Sequence, residues 1–290
     1  MFKKLLLSAL GLLLFSTSSC QDEPLADTLL WKIEGNDLQQ PSYLFGTVHA
    51  TCEVVISDKI QSALAETNKM VMEINMNDLT SGYDESMGDM LIGNGETWED
   101  HISAEEYNKL KTFLDQYDSV NINMVQIMKP NIVGTLLITD LVTCSIESYE
   151  MQLLNQANSS NKELIGLETL QEQMDLLVGE SLDLQFEKLL KMADIPKEES
   201  VALMQEMMDL YDAENVQGLY DYITRDHVMN DMISQEDLLD KRNQNWIPKI
   251  EEIVKEDSAF IAVGAGHLGG EMGVINLLKQ AGYTLTPIMD

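Results

Sequence analysis

The stretch Ala259-Phe260-Ile261-Ala262-Val263, followed at once by Gly264-Ala265-Gly266-His267, decides the fold of this chain. A short apolar run that ends at a glycine predicts a strand buried on both faces, with a sharp turn after it. A helix is predicted over 273–280 and a strand over 283–289, with Gly282 as the stop between them. The end of the chain therefore contributes two strands to a sheet.

Further strands are predicted over 29–33, 42–45, 69–76 and 163–167. Helical patterns occupy most of the remaining chain, over 58–64, 103–117, 130–141, 170–192 and 196–232, and Pro248 is predicted to begin another helix. We therefore predict an α/β (mixed α+β) fold. It is a single domain whose N- and C-terminal strands form one central mixed β-sheet, covered by helices that include a long helical middle section.

The first twenty residues have the layout of an export signal. Met1-Phe2-Lys3-Lys4 is basic, the run over 5–15 is apolar, and small residues lead to Cys20. The apolar run is about half of the ~20 residues that span a bilayer, so it predicts a cleaved signal peptide over 1–19. Cys20 would then be the lipidated first residue, with a tether over 20–28 and the folded domain over 29–290. An ordinary secretory signal with an incidental cysteine is the alternative.

The chain is strongly acidic, with 49 Asp and Glu against 18 Lys and Arg and a net charge of −31. Phosphate binding requires clustered Lys and Arg, so this composition excludes nucleic acid as a partner. Anionic headgroups would also repel the protein surface, so the lipid on Cys20 is predicted to hold the protein to a membrane. The predicted location is the cell envelope, on the periplasmic side or the cell surface. No oligomeric state is indicated.

Cys52 and Cys144 are the two cysteines beyond Cys20. They could pair in an oxidising compartment, but two cysteines do not make a disulfide framework. The sequence therefore leaves their pairing open. Neither cysteine belongs to a C-x-x-C pattern, so a thiolate metal site is not indicated.

Two histidines share one local pattern, Gly-x-x-His after a predicted strand. Gly46-Thr47-Val48-His49 follows the strand over 42–45, and Gly264-Ala265-Gly266-His267 follows the last buried strand. Ligands bind at the carboxyl ends of strands in open α/β sheets. One such histidine alone is more often a core residue, but the repetition in a chain with four histidines favours a function. A purely structural role for both remains the alternative.

Glu73 lies inside the apolar run over 69–76, where an unpaired carboxylate is costly. A metal ion or an arginine would compensate it, and an edge strand with Glu73 in water is the alternative. Two histidines and one carboxylate are a familiar ligand set for a catalytic divalent metal. We therefore predict that His49, Glu73 and His267 bind a divalent metal ion.

Three further residues complete the predicted catalytic set with Glu73. Glu168 ends a predicted strand, where it could orient a ligand, shuttle a proton or place a charge at a helix N-terminus. Arg242 could clamp a carboxylate or, with Asn243, stabilise an oxyanion. A surface ion pair is the alternative for Arg242.

Taken together, these residues resemble the TraB/GumN family, which is related to the Tiki metalloproteases. The resemblance runs from Leu30 to Pro287. It rests on the segment over 42–49, Glu73, the segment over 166–169, Arg242-Asn243 and the segment over 263–267.

The resemblance implies a site built from two Gly-x-x-His motifs and a glutamate. In the Tiki branch this site supports metal-dependent peptidase activity, with manganese or cobalt implicated, and zinc is a further candidate here. The implied substrate is a peptide or a protein. The wider superfamily includes erythromycin esterases and a haem-binding protein. A surface protein that captures a peptide, haem or metal without turnover is therefore the alternative function.

Overall fold

A computed structural model describes residues 24–77, 88–227 and 233–289. The predicted signal peptide and Cys20 lie outside the described residues, as do residues 228–232 at the end of a predicted helix. Within the described ranges, no helix combines the length and the apolar character that a membrane crossing requires.

The strands are β1 (Leu30–Gly35), β2 (Ser42–Thr47), β3 (Lys69–Ile74), β4 (Glu163–Glu168), β5 (Ala259–Gly264) and β6 (Tyr283–Pro287). They form one six-stranded sheet in the order β4-β3-β5-β2-β1-β6. The strands β4, β3, β5 and β2 are mutually parallel, whereas β1 is antiparallel to both β2 and β6. Strands from both ends of the chain lie side by side in a mixed sheet, which confirms the predicted fold class.

Eleven α-helices are described. They are α1 (Asp58–Ala65), α2 (Ala104–Leu114), α3 (Ile122–Val125), α4 (Pro130–Leu141), α5 (Tyr149–Ser159), α6 (Leu170–Val178), α7 (Leu182–Met192), α8 (Lys197–Asp212), α9 (Val216–Thr224), α10 (Lys241–Glu256) and α11 (Val274–Gln280). A π-helical turn, Glu236–Asp240, leads directly into α10.

The helical middle section is present but more interrupted than its periodicity predicts. The segment after β4 forms four helices, α6 to α9, where the sequence predicts two. Ser181 caps α7 by accepting a hydrogen bond from the Leu184 N–H, and this separates α7 from α6. Glu214 ends α8 with a φ of 51°. Glutamate is an unusual residue for this left-handed conformation. The sequence therefore contains no recognisable signal that the helix ends there.

The predicted start of α10 at Pro248 is wrong. The helix begins at Lys241 and carries the proline in its interior. Proline removes one helical N–H, which leaves the carbonyl of Gln244 without its usual partner. Gln244 is exposed, so water can replace that hydrogen bond. Because the helix begins at Lys241, Arg242 and Asn243 lie on its first turn and are buried.

The buried apolar side chains form two cores. The larger one packs around the sheet and includes Leu44 and Ile261, which are fully buried. The second lies mainly among α2, α4 and α7 and includes Trp98, which is fully buried. The Trp98 indole N–H donates to the Met128 carbonyl at 2.8 Å. The helical section therefore has a core of its own beside the core of the sheet.

Cys52 and Cys144 form a disulfide, with Cα atoms 5.5 Å apart. Beside it, the backbones of Thr51 and Glu147 exchange hydrogen bonds of 3.0 and 2.8 Å. These contacts join the segment after β2 to the segment before α5. The structure thus settles the pairing that the sequence leaves open.

Gly166 lies on β4 beside the backbone that follows the end of β3. A Cβ at this position would be 2.6 Å from the Asn75 backbone nitrogen and 3.0 Å from the Glu168 carbonyl oxygen. Because backbone atoms cannot easily move aside, we expect Gly166→Ala to lower the free energy of unfolding by about 1–3 kcal/mol. Urea denaturation measures the change. Gly88→Ala is the control, since a Cβ there meets nothing within 4 Å. Equal midpoints for the two variants would argue against this close approach.

Candidate functional site

Four neighbouring strands bring polar side chains to one edge of the sheet. Glu168 ends β4, Glu73 is the last residue but one of β3, His267 follows β5, and His49 follows β2. Because these strands are adjacent and parallel, their carboxyl ends meet at the same edge. The structure thus brings the three predicted metal ligands and Glu168 to one end of the sheet.

Arg242 of α10 lies at the centre of an inner cluster. Its Nη2 donates to Glu73 Oε2 at 2.6 Å and to Glu168 Oε1 at 2.5 Å, and its Nε donates to both oxygens of Glu168. Its Nη1 donates to the Leu238 carbonyl and to His267 Nε2, each at 3.0 Å. The five N–H groups of the guanidinium therefore all have acceptors within the protein.

The two carboxylates of the cluster accept further hydrogen bonds. The Gly264 N–H donates to Glu73 Oε1 at 2.7 Å. The Gln173 amide donates to Glu73 at 3.0 Å and to Glu168 at 2.7 Å. The Trp246 indole N–H donates to Glu168 at 3.2 Å. The side chains of Glu73 and Glu168 are only 11% and 7% exposed, so these donors replace the water that burial removes.

Burial and charge together set the protonation states of this cluster. Burial opposes ionisation of Glu73, but the positive charges of His267, which is protonated at such low pH, and of Arg242, with the Gly264 N–H, lower its pKa to about 2. Burial disfavours the charged form of His267 and lowers its pKa to about 3, although Glu73 favours that form. His267 is therefore neutral near pH 7, and the guanidinium of Arg242 is the cation that keeps Glu73 ionised.

Asn243 fixes the tautomer of His267. The Asn243 Oδ1 lies 2.6 Å from His267 Nδ1, and its Nδ2 donates to the Met272 carbonyl at 2.9 Å, which sets the orientation of the amide. Since the amide oxygen accepts, Nδ1 carries the proton and the lone pair of Nε2 points to Arg242. The imidazole also packs against the Trp246 ring, with centroids 4.4 Å apart.

His49 belongs to an outer pair with Glu150 of α5. Its side chain is 74% exposed, and its Nδ1 lies 3.0 Å from Glu150 Oε1. The same carboxylate accepts hydrogen bonds from Thr47 Oγ1 at 2.8 Å and from Ser148 Oγ at 2.7 Å. The hydrogen bond to Glu150 raises the pKa of His49 above its ordinary value.

One cavity joins the inner cluster to the outer pair. It has a volume of about 220 Å³, and its lining includes His49, Glu73, Glu150 and Gln173. His267 lies behind this wall, with its Nε2 3.9 Å from Glu73 Oε1. Glu73 is thus the residue that faces both the cavity and the buried imidazole.

Sequence reasoning missed Glu150 and Gln173. Glu150 resembles an ordinary acidic residue in the first turn of a helix that Ser148 caps. Gln173 lies in the first turns of α6, which begins directly after Glu168. When a helix starts at the carboxyl end of a parallel strand, its first residues lie at the end of the sheet where ligands bind. The position of Gln173 shortly after the predicted strand is the signal that could have identified it.

His49, Glu73 and His267 are chemically suitable ligands for a divalent cation, since they offer imidazole nitrogens and carboxylate oxygens. The arrangement is less suitable, because Nε2 of His267 already accepts an N–H from Arg242. In the part of the chain that the structure describes, no three His, Cys, Asp or Glu residues are grouped so that they could hold a metal ion. Coordination by His49, Glu73 and His267 together therefore requires Arg242 to leave His267.

Comparisons with known proteins identify a family and two similar proteins. A family model for the TraB/PrgY/gumN family matches residues 29–287. The chain is similar to Metalloprotease TIKI2 of Xenopus tropicalis, at 22% identity, and to Metalloprotease TIKI1 of Xenopus tropicalis, at 23% identity. Each alignment covers 89% of this chain but only 59% and 61% of the two relatives, so the chain spans about three fifths of their length. No solved structure matches the chain.

Proposed function

Because the chain belongs to the TraB/PrgY/gumN family, we propose that it is a metal-dependent hydrolase that cleaves peptide bonds in a peptide or protein substrate. The observation that carries this proposal is that His49 and Glu73 line one cavity while His267 lies 3.9 Å behind Glu73. The similarity to two proteins named metalloproteases supports the class of reaction.

His49, Glu73 and His267 would hold the metal, which we propose to be manganese, cobalt or zinc, once Arg242 has left Nε2 of His267. A bound metal supplies a water of lowered pKa and polarises a carbonyl group. The contribution of Asn243 is to keep the proton on Nδ1 of His267, so that Nε2 retains its lone pair for a ligand.

Arg242 and Glu168 act together in this proposal. When Nη1 of Arg242 leaves His267, that N–H becomes available to a substrate oxygen on which negative charge develops. Glu168 keeps the guanidinium in position meanwhile, because it accepts from Nε and Nη2 and not from Nη1. Arg242 is then the oxyanion donor, and Glu168 is a positioning residue.

The test replaces one histidine and uses another as the matched control. We expect His267→Ala to weaken Mn²⁺ binding by more than about 100-fold. A loss of up to that factor follows when only the hydrogen-bond partner of a metal ligand is removed, and this variant removes the ligand itself. His101→Ala should leave binding unchanged, because His101 pairs with Glu96 outside the site. Titration calorimetry measures the affinity, and cleavage of a mixed peptide library with and without chelator measures turnover. Unchanged Mn²⁺ affinity in His267→Ala would refute the ligand set. Tight peptide uptake without cleavage would favour a capture protein.

We further propose that the protein is exported and anchored in the cell envelope through a lipid on Cys20. The disulfide between Cys52 and Cys144 supports an oxidising compartment. We expect the protein to incorporate labelled palmitate and to sediment with membranes, and Cys20→Ser to lose both properties. A wild-type protein that takes up no label would contradict the anchor.

A further inference from the structure

His49 is the exposed member of the proposed ligand set, and the hydrolase proposal gives no role to the side chain beside it. His49 lies two residues beyond the end of β2, and its side chain is 74% exposed. Among the described residues, its ring hydrogen-bonds to Glu150 alone, with Nδ1 3.0 Å from Oε1. An exposed side chain loses rotamer freedom when it becomes a ligand. A partner that fixes the ring beforehand reduces this cost.

Three hydrogen bonds hold the Glu150 carboxylate in place. Its Oε1 accepts from Thr47 Oγ1 at 2.8 Å as well as from His49, and its Oε2 accepts from Ser148 Oγ at 2.7 Å. Thr47 is the buried last residue of β2, and Ser148 caps α5. The Glu150 side chain is 18% exposed. The carboxylate is therefore fixed between a strand end and a helix start, and His49 is held against it.

The contact with Glu150 determines which nitrogen of His49 carries a proton. An ionised carboxylate can only accept, so Nδ1 carries a proton and Nε2 is left for a ligand. Asn243 imposes the same arrangement on His267, because its Oδ1 accepts from Nδ1 at 2.6 Å. The two histidines lie in different segments, yet a side-chain oxygen holds each of them through the same nitrogen. Histidines that bind metals usually donate their other ring N–H to such a partner.

We propose that Glu150 is the positioning residue of His49. Its carboxylate keeps a proton on Nδ1 and fixes the ring, so that Nε2 is the atom that binds the metal. This inference rests on the proposed function, since it concerns the same metal site. His49 and Glu150 both line the cavity that Glu73 faces. In this proposal Glu150 supplies a hydrogen bond and is not itself a ligand.

Two substitutions of Glu150 separate its hydrogen bond from its charge. In Glu150→Gln, the amide oxygen can replace Oε1 as the acceptor for Thr47 and His49. The amide N–H can then donate to Ser148 Oγ. Glu150→Ala removes the acceptor, and both variants lack the charge. We expect Glu150→Ala to bind Mn²⁺ about 10–100-fold more weakly than Glu150→Gln in titration calorimetry, the loss that follows removal of a ligand's hydrogen-bond partner.

Glu106 is the matched control. It also lies in the first turn of a helix, accepts a hydrogen bond from a serine, Ser103, and is not part of the described lining of the cavity. Glu106→Ala and Glu106→Gln should therefore bind Mn²⁺ with equal affinity. If Glu150→Ala and Glu150→Gln also had equal affinities, the proposal would be overturned.

A second measurement examines the His49 ring without metal. Proton–nitrogen NMR distinguishes Nδ1–H from Nε2–H, and His49→Gln identifies the signals of His49 among the four histidines. We expect a slowly exchanging Nδ1–H proton in the unaltered protein and in Glu150→Gln, and its loss in Glu150→Ala. An Nδ1 without a proton, or equal exchange rates with and without Glu150, would overturn the proposal. Absence of Mn²⁺ binding to the unaltered protein would instead contradict the proposed function, and the Nδ1–H signal would still decide whether Glu150 positions His49.

Discussion

Replacing Arg242 by methionine should lower the free energy of unfolding by about 3–5 kcal/mol, the cost of breaking a buried ion pair by removing one partner. The change removes the shared cation of Glu73 and Glu168 and leaves two carboxylates in a buried site. Urea denaturation monitored by tryptophan fluorescence measures the loss, because Trp246 packs against Arg242 at 4.8 Å. Far-UV circular dichroism serves as a second probe of the same transition.

Arg225→Met is the matched control for this prediction. Arg225 also pairs with a carboxylate, Glu206, but the two side chains are 33% and 48% exposed. Exposed pairs contribute little, so this variant should lose less than about 1 kcal/mol. Adding Glu73→Gln and Glu168→Gln to Arg242→Met should restore much of the lost stability, because neutral amides need no buried cation. If Arg242→Met and Arg225→Met unfold at the same urea concentration, the cluster is not a buried charge network.

Removing the disulfide between Cys52 and Cys144 should lower the free energy of unfolding by about 4–5 kcal/mol, by the loop-closure estimate for a long loop. The two cysteines are 92 positions apart, so the bridge restricts a large part of the unfolded chain. Denaturant midpoints of Cys52→Ser/Cys144→Ser and of the unaltered protein, each with and without a thiol reductant, measure the effect.

The double variant contains its own control, since a reductant should shift the midpoint of the unaltered protein and leave that of the variant unchanged. Loss of the bridge should also loosen the contact between His49 and Glu150, because the disulfide joins the two segments that carry them. Equal denaturant midpoints for the unaltered protein and the double variant would show that the bridge contributes nothing to stability.

Much of the sheet could be predicted from the sequence, because its strands are short apolar runs bounded by glycine or turn residues. The position of His49 and His267 followed from the same pattern, since parallel strands share one carboxyl edge. For Glu73 the sequence indicated a compensating partner but could not choose between a metal and an arginine. The structure supplies Arg242, and whether a metal also binds there stays a prediction.

The inner cluster could not be predicted because its contacts join distant parts of the chain. Arg242 and Glu168 are 74 positions apart, and no periodicity encodes such a contact. Pro248 also concealed the start of α10, because proline is more typical of the first turn of a helix than of its interior. Two isolated cysteines likewise carry no spacing signal that specifies pairing.

The direction of β1 determines how a lipid anchor would present this domain to a bilayer. Leu30 begins β1 opposite Phe45, near the carboxyl end of β2, so the chain joins the sheet on the side where His49 lies. Cys20 precedes Leu30 by ten positions, a reach of at most ~35 Å. A tether this short would limit how far the start of β1, and with it this end of the sheet, can lie from the lipid surface. Juxtamembrane segments of neighbouring proteins would then be as accessible to this end of the sheet as freely diffusing peptides.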